Sequence, residues 1–179
     1  MPSPRPRRRP LAPSRKTEPV IVADGASCAA QDRVLDRAKT LLARRAWATG
    51  ELAERLERDF DPDNVRSVIA RLTDLSLLDD TIFAADYAAR RAQKGRIGAE
   101  RICAELAERG VDAATASQAV ASLDGESEVV RAREVLARFL SGRPSNDPRA
   151  GSAAARHLLR RGYRDDLVAH LLRDLLDGS

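Results

Sequence analysis

Asp79 and Asp80 lie side by side after the apolar run Leu75-Ser76-Leu77-Leu78. A basic cluster follows at Arg90, Arg91, Lys94, Arg96 and Arg101, opposed within its own window only by Glu100. Neighbouring carboxylates are raw material for metal binding or a shared proton, and clustered cations for holding phosphate. On a helix, however, successive side chains diverge by about 100°, so the pair cannot converge without an irregular backbone. As a helix start the pair fits at once. Asp79 at the N-cap puts Leu78 at N′ and Phe83 at N4, the positions of a hydrophobic staple, and Asp80 at N1 suits the helix dipole. The expected role of Asp79, Asp80, Phe83 and Tyr87 is therefore structural: carboxylates that begin a helix and aromatics that anchor it.

The basic cluster has two readings. Cations favour a helix C-terminus, so a solvated helix end would account for it. A second band weakens that account: from Arg131 to Arg164 there are nine arginines and two acids, Glu134 and Asp147. Two bands imply segregated charge and a face for a polyanion or an acidic partner. The candidate facing residues are Arg90, Arg91, Lys94, Arg96, Arg101, Arg160, Arg161 and Arg164. Gly95-Arg96-Ile97-Gly98 matches the GXXG loop with which KH domains clamp nucleic-acid backbone. A KH fold needs a sheet, and the pattern here is helical, so a joint between helices is the expectation. His157 and His170 fall on different helices without ligands at metal spacing. There is no phosphate-binding loop, dinucleotide fingerprint or nucleophile elbow. No catalytic, cofactor or metal site is expected, and so no enzyme.

The elements that must carry these residues are helices. In 179 residues, 43% are hydrophobic and 32% charged, but only 3% aromatic. Ala, Leu, Arg and Glu dominate, and they lose little entropy in a helix. The net charge of +4 is uneven. Residues 1–16 hold six cations and no acid, which leaves 25 cations against 27 acids elsewhere, a net of −2. Five prolines in the first 13 positions mark residues 1–26 as a disordered basic tail. No apolar run approaches the ~18 residues that suggest a membrane span. Two cysteines, too few for a disulfide framework, suit a reducing compartment, and a cytoplasmic location is expected.

From about Ala29 the chain repeats a pattern of long, short and medium helix. Val34, Leu35, Ala38, Leu41 and Leu42 make one apolar stripe. Asp61-Pro62 and Asp112 start helices, Gly110 and Gly162 end short ones, and the loop SGRPSNDPRA (141–150) precedes the last short helix. Leu56, Leu106 and Leu158 mark corresponding points. The spacing predicts an all-α, elongated array of three tandem three-helix repeats at 27–78, 79–125 and 126–179. Such an array presents surface rather than a deep pocket. It could bind a protein, or DNA or RNA directly through a helix-turn-helix-like arrangement, or serve as a scaffold.

Leu77-Leu78-Asp79-Asp80, then Phe83-Ala84, a basic helix end, and Gly95 through Arg101-Ile102 with Glu105-Leu106 and Gly110 resemble the bacterial RecX family. Leu41-Leu42-Ala43-Arg44-Arg45 followed by Glu51-Leu52 resembles its first repeat. The similarity runs from about residue 29 to the end. Ser76 stands where the family usually has Gly, and Arg58-Asp59-Phe60 replaces its basic-Gly turn. The resemblance implies a non-enzymatic regulator, without cofactor, of the RecA–single-stranded-DNA filament. It would lie in the filament groove as a monomer and restrain ATPase, strand exchange and co-protease activity, and so recombination, DNA repair and the SOS response. Single-stranded or duplex DNA is a further partner to consider, a membrane is not.

Overall fold

A computed structural model describes residues 24–123, 125–141 and 148–177. These residues form nine helices and no strand. They are α1 (Asp24–Leu42), α2 (Thr49–Glu57), α3 (Pro62–Asp74), α4 (Asp80–Gly95), α5 (Ala99–Ala107), α6 (Ala113–Ala121), α7 (Gly125–Leu140), α8 (Pro148–Arg160) and α9 (Asp165–Asp177). The extensive helix packing joins neighbours in sequence: α1, α2 and α3 together, then α4, α5 and α6, then α8 with α7 and α9. The fold is the all-α array of three-helix repeats that the periodicity predicts.

Sequence boundaries hold where a side chain makes them. Asp61 accepts from the backbone N–H of Asp63 and Asn64 at 3.0 and 3.3 Å, ahead of Pro62. Asp112 accepts from Ala114 and Thr115 at 3.0 and 2.9 Å. Each satisfies two donors that a helix start leaves without partners. Two boundaries differ. Helix α1 begins at Asp24, inside the stretch read as tail, whereas residues 1–23 lie outside the described residues. Helix α8 takes up residues 148–150 of the expected loop and runs 13 residues, against 9 in α2 and α5. Residues 142–147 of that loop lie outside the described residues.

Each unit has its own core. Val34, Leu52, Leu56, Val65 and Leu72 gather in the first, Phe83, Ile102, Leu106 and Ala116 in the second, and Leu136, Leu158, Tyr163 and Val168 in the third. The corresponding leucines Leu56, Leu106 and Leu158 are all fully buried. Leu78 and Phe83 enter different cores, the first and the second. The staple expected between them gives way to a division: the chain crosses from one unit to the next between these two residues.

The units are joined at helix ends. Helices α5 and α8 close in the same way, with a left-handed glycine after the last turn. Gly110 (φ 80) donates to Ala107 O and Val111 to Leu106 O, while Gly162 (φ 78) donates to Leu159 O and Tyr163 to Leu158 O. These are the paired bonds of a Schellman cap. Against each glycine rests the start of the preceding unit's short helix. Gly98 N donates to Arg161 O at 2.9 Å and Glu100 N to Gly162 O at 3.1 Å. Free donors of one helix start thus meet free acceptors of another helix end. Gly50, at the start of α2, packs on Gly110 so closely that a Cβ would sit 2.9 Å from the Gly110 Cα.

Helices α2 and α5 have N-caps, Ala48 and Gly98, that make no side-chain cap bond. Their caps come from the next unit instead. Asp80 accepts from Thr49 N at 2.7 Å, and Glu128 accepts from Ala99 N at 3.0 Å.

A methyl at Gly98 would lie 2.2 Å from the Gly162 carbonyl oxygen, whereas one at Gly151, within α8, meets nothing within 4 Å. Gly98→Ala is expected to destabilise the protein by about 1–3 kcal/mol, the cost of overpacking against rigid atoms. Gly151→Ala is expected to stabilise it by roughly 0.5–1 kcal/mol. Urea denaturation of both variants checks the pair, and equal effects would mean that the joint is not tight.

Candidate functional site

The adjacent carboxylates separate in space. Asp79 caps α4, accepting from Thr81 N at 2.8 Å and Ile82 N at 3.1 Å, while Asp80 reaches back to α2. Among the described residues no three His, Cys, Asp or Glu side chains come together to hold a metal. Ser76, just upstream, has φ 54, a left-handed conformation that glycine holds without strain.

The basic residues divide between two clefts. The first, of about 620 Å³, opens between units one and two. Its floor is Glu105, 8% exposed, which accepts hydrogen bonds from Tyr87 Oη (2.9 Å), from Arg91 Nε and Nη2 (2.6 Å each) and from Arg101 Nε (3.2 Å). The Arg91 bonds lead in holding its carboxyl at about 2, against burial and with help from Tyr87 and Arg101. At the rim, Glu51 accepts from Arg45 Nη1 and Nη2 at 3.1 and 2.9 Å and from Arg109 Nη1 at 2.9 Å. Burial opposes ionisation of Glu51, but the Arg45 bonds and the charges of Arg109 and Arg45 outweigh it and lower its pKa. Arg45 lies 3.5 Å over the Trp47 ring and Arg109 5.0 Å over Tyr87. Three arginines and three glutamates line this cleft. Its lining charges balance, and its arginines are engaged by its own glutamates.

The second cleft, of about 300 Å³, lies between units two and three. Lys94, Arg96, Arg138 and Arg161 line it with no acid among them. Arg96 is partly neutralised by Glu134 at 3.2 Å. Two basic bands that are far apart in sequence meet here. Of the expected facing residues, Lys94, Arg96 and Arg161 share this cleft, and Arg91 and Arg101 belong to the balanced one. Arg164 pairs with Asp166 at 2.7 Å, and Arg90 and Arg160 are exposed on α4 and α8. Arg138, Glu105, Glu51 and Arg109 are the residues that sequence reasoning did not single out as site residues. Glu105 lies four residues from Arg101, a helical pair spacing that signals an ion pair but not its burial.

The sequence model of "RecX, second three-helix domain" matches residues 79–120. A regulatory protein RecX of Mycolicibacterium smegmatis is 32% identical over 166 residues, covering 87% of this chain and 88% of that protein. One from Chromohalobacter salexigens is 36% identical over 140 residues, covering 76% and 89%. The chain belongs to the RecX family. The crystal structure of RecX from Lactobacillus salivarius has the same fold at 19% identity, with a TM-score of 0.76 over 83% of this chain and 97% of that one. Among the described residues no helix is long and apolar enough to cross a membrane.

Glu105 makes a dated contribution to stability along the pH axis. Its folded pKa, about 2, lies below the ordinary 4.5, so the contribution is complete above about pH 4.5 and is lost as pH falls through about 2. Glu105→Gln is expected to cost roughly 2–3 kcal/mol at pH 7, with the gap to wild type closing toward pH 2. Denaturant titrations at a series of pH values measure it. A gap that does not change with pH would mean that packing, not charge, is what the substitution removes.

Proposed function

We propose that this RecX-family protein binds the RecA–single-stranded-DNA filament and restrains its ATPase, strand-exchange and co-protease activities, without chemistry of its own. It would act in the cytoplasm as a monomer, and recombination and DNA repair would be what it regulates. Membership of the RecX family over most of the chain carries the reading.

The physical layout supports it. Three units joined end to end give a long surface rather than an enclosed pocket, which suits a repeating partner. Arg90 on α4 and Arg160 on α8 are exposed cations without an acidic partner among the described residues, available to an acidic groove. Arg91, by contrast, is committed to Glu105, so its part is to hold the second unit in shape.

Reversing Arg90 and Arg160 to Glu is expected to abolish suppression of ATP hydrolysis by preformed RecA filaments, because like charges opposed across an interface cost several kcal/mol. Reversing Arg44 and Arg71, exposed cations of the first unit, changes net charge equally and is expected to leave suppression largely intact. ATPase rates, with circular dichroism on each variant, decide between them. Full suppression by the Arg90/Arg160 variant with its helix content intact would remove those cations from the binding face. Equal loss from both variants would make bulk charge responsible.

A further inference from the structure

The two joints of the array are built differently. At the second, Gly98 N and Glu100 N donate to the carbonyls of Arg161 and Gly162, and a Cβ on Gly98 would lie 2.2 Å from the Gly162 oxygen. At the first, Gly50 stands in the place of Gly98 and Gly110 in that of Gly162, but among the described residues no backbone hydrogen bond crosses. The backbones also stand further apart, since a Cβ on Gly50 would come no nearer than 2.9 Å to Gly110. Each joint has one carboxylate cap, Asp80 on Thr49 N and Glu128 on Ala99 N, so the caps do not make the difference.

What crosses the first joint instead is charge. Arg109, just past the end of α5, donates from Nη1 to Glu51 Oε1 in the first turn of α2 at 2.9 Å. Each partner is positioned within its own unit, Glu51 by Arg45 and Arg109 by the Tyr87 ring. Their side chains are 21% and 33% exposed, within reach of counter-ions. Such a pair weakens as salt rises, whereas hydrogen bonds between uncharged backbone groups at the second joint are not screened in this way. The Arg96–Glu134 pair at that joint is salt-sensitive too, but the backbone bonds remain when it opens.

One small apolar side chain also crosses the first joint: Ala48, fully buried in the core of unit two. It adjoins Thr49, whose N–H is held by Asp80, so the two contacts fix a point and leave an angle to be set. The cleft of about 620 Å³ that Glu51 and Arg109 line leaves room for that angle to change. Units joined through a small contact move relative to one another unless something holds them.

We infer that the array bends at the first joint and not at the second, with Glu51–Arg109 as an electrostatic clasp that sets the angle of unit one. Units two and three form a fixed pair, and unit one is an arm that swings about Ala48 when the clasp opens. The device belongs to the free chain, so its test needs no RecA and its outcome stands apart from the filament reading.

Paired spin labels on the full chain measure it. In a Cys28→Ser, Cys103→Ala background, Ser67→Cys with Ser117→Cys spans the first joint, and Ser117→Cys with Ala169→Cys spans the second; the three labelled positions are exposed. Distances are read by double electron–electron resonance at about 0.01 M and about 1 M salt, between which the Debye length falls from about 30 to about 3 Å. The first distance is expected to shift and broaden at high salt, and the second to stay narrow. Arg109→Gln is expected to give the broad first distribution already at low salt and to remove its salt response. Arg58→Gln, which breaks the Arg58–Glu54 pair inside unit one, is expected to leave it narrow. Circular dichroism on each variant separates bending from unfolding, and the salt series on the unclasped and clasped chains needs no further substitution. A first distance unmoved by both salt and Arg109→Gln would overturn the inference, since Ala48 and the cap would then be the lock. Equal broadening at both joints would also overturn it, because the array would then loosen everywhere.

Discussion

The array depends on one kind of contact, the meeting of a helix start with a helix end. An isolated α-helix leaves donors unpaired at one terminus and acceptors at the other. At the joint between units two and three they pair with each other: Gly98 N and Glu100 N on α5 with the carbonyls of Arg161 and Gly162 after α8. The dipoles add to the attraction, since a positive start faces a negative end. Such a contact requires backbones to approach without side chains between them, and so glycine lies on both sides. A Cβ on Gly162 would come within 2.3 Å of Arg101 N, as one on Gly98 would reach the Gly162 carbonyl. Helix packing between units is otherwise sparse, so this joint sets where the end of α4 lies relative to α7 and α8. The cationic cleft is a consequence of that placement.

Charge is distributed by the same geometry. Arg91 and Arg101 turn toward Glu105 because α4 and α5 pack together; the two guanidinium groups neutralise a carboxylate that would otherwise be costly to bury, and the Tyr87 phenol adds a hydrogen bond. Lys94 and Arg96, a turn later, have passed the end of α5's reach and face the third unit instead. Five basic residues that look like one cluster in sequence therefore perform two tasks. Those within reach of Glu105 fix the second unit, and those beyond it line a surface.

What was legible in the sequence was whatever a short stretch decides alone. Asp61, Asp79 and Asp112 cap their helices because the bond runs two or three residues along the chain. Leu56, Leu106 and Leu158 announce a repeat because each unit buries the same position. Contacts between units were not legible. Nothing around Asp80 says that it caps α2 rather than serving only its own helix, and nothing near Gly98 names Gly162 as its neighbour. Arg91 and Arg90 are adjacent and chemically identical, and only the azimuth of α4 against α5 makes one structural and the other free of Glu105. The length of α8 is hidden for a related reason: SGRPSNDPRA is rich in turn formers, but its Pro148 takes the first helical position and starts the helix.

The departures at Ser76 and at Arg58-Asp59-Phe60 follow from the same joint. Gly110 and Gly162 are needed where the start of a preceding short helix lies against the turn, α2 against one and α5 against the other. Among the described residues no backbone hydrogen bond from another unit reaches the turn after α2. Its C-cap, Arg58, stays right-handed at φ −67, and Phe60 simply returns its N–H to Leu56 O at 3.0 Å. Without a backbone pressed against it, this turn can carry a full-sized residue at every position. Ser76 is the opposite case. It ends α3 in a Schellman cap, with Leu77 N bonded to Leu72 O at 2.9 Å, so the left-handed conformation is still required and serine bears its strain. The turn after α2 needs no glycine, whereas Ser76 holds a conformation that glycine would adopt without strain.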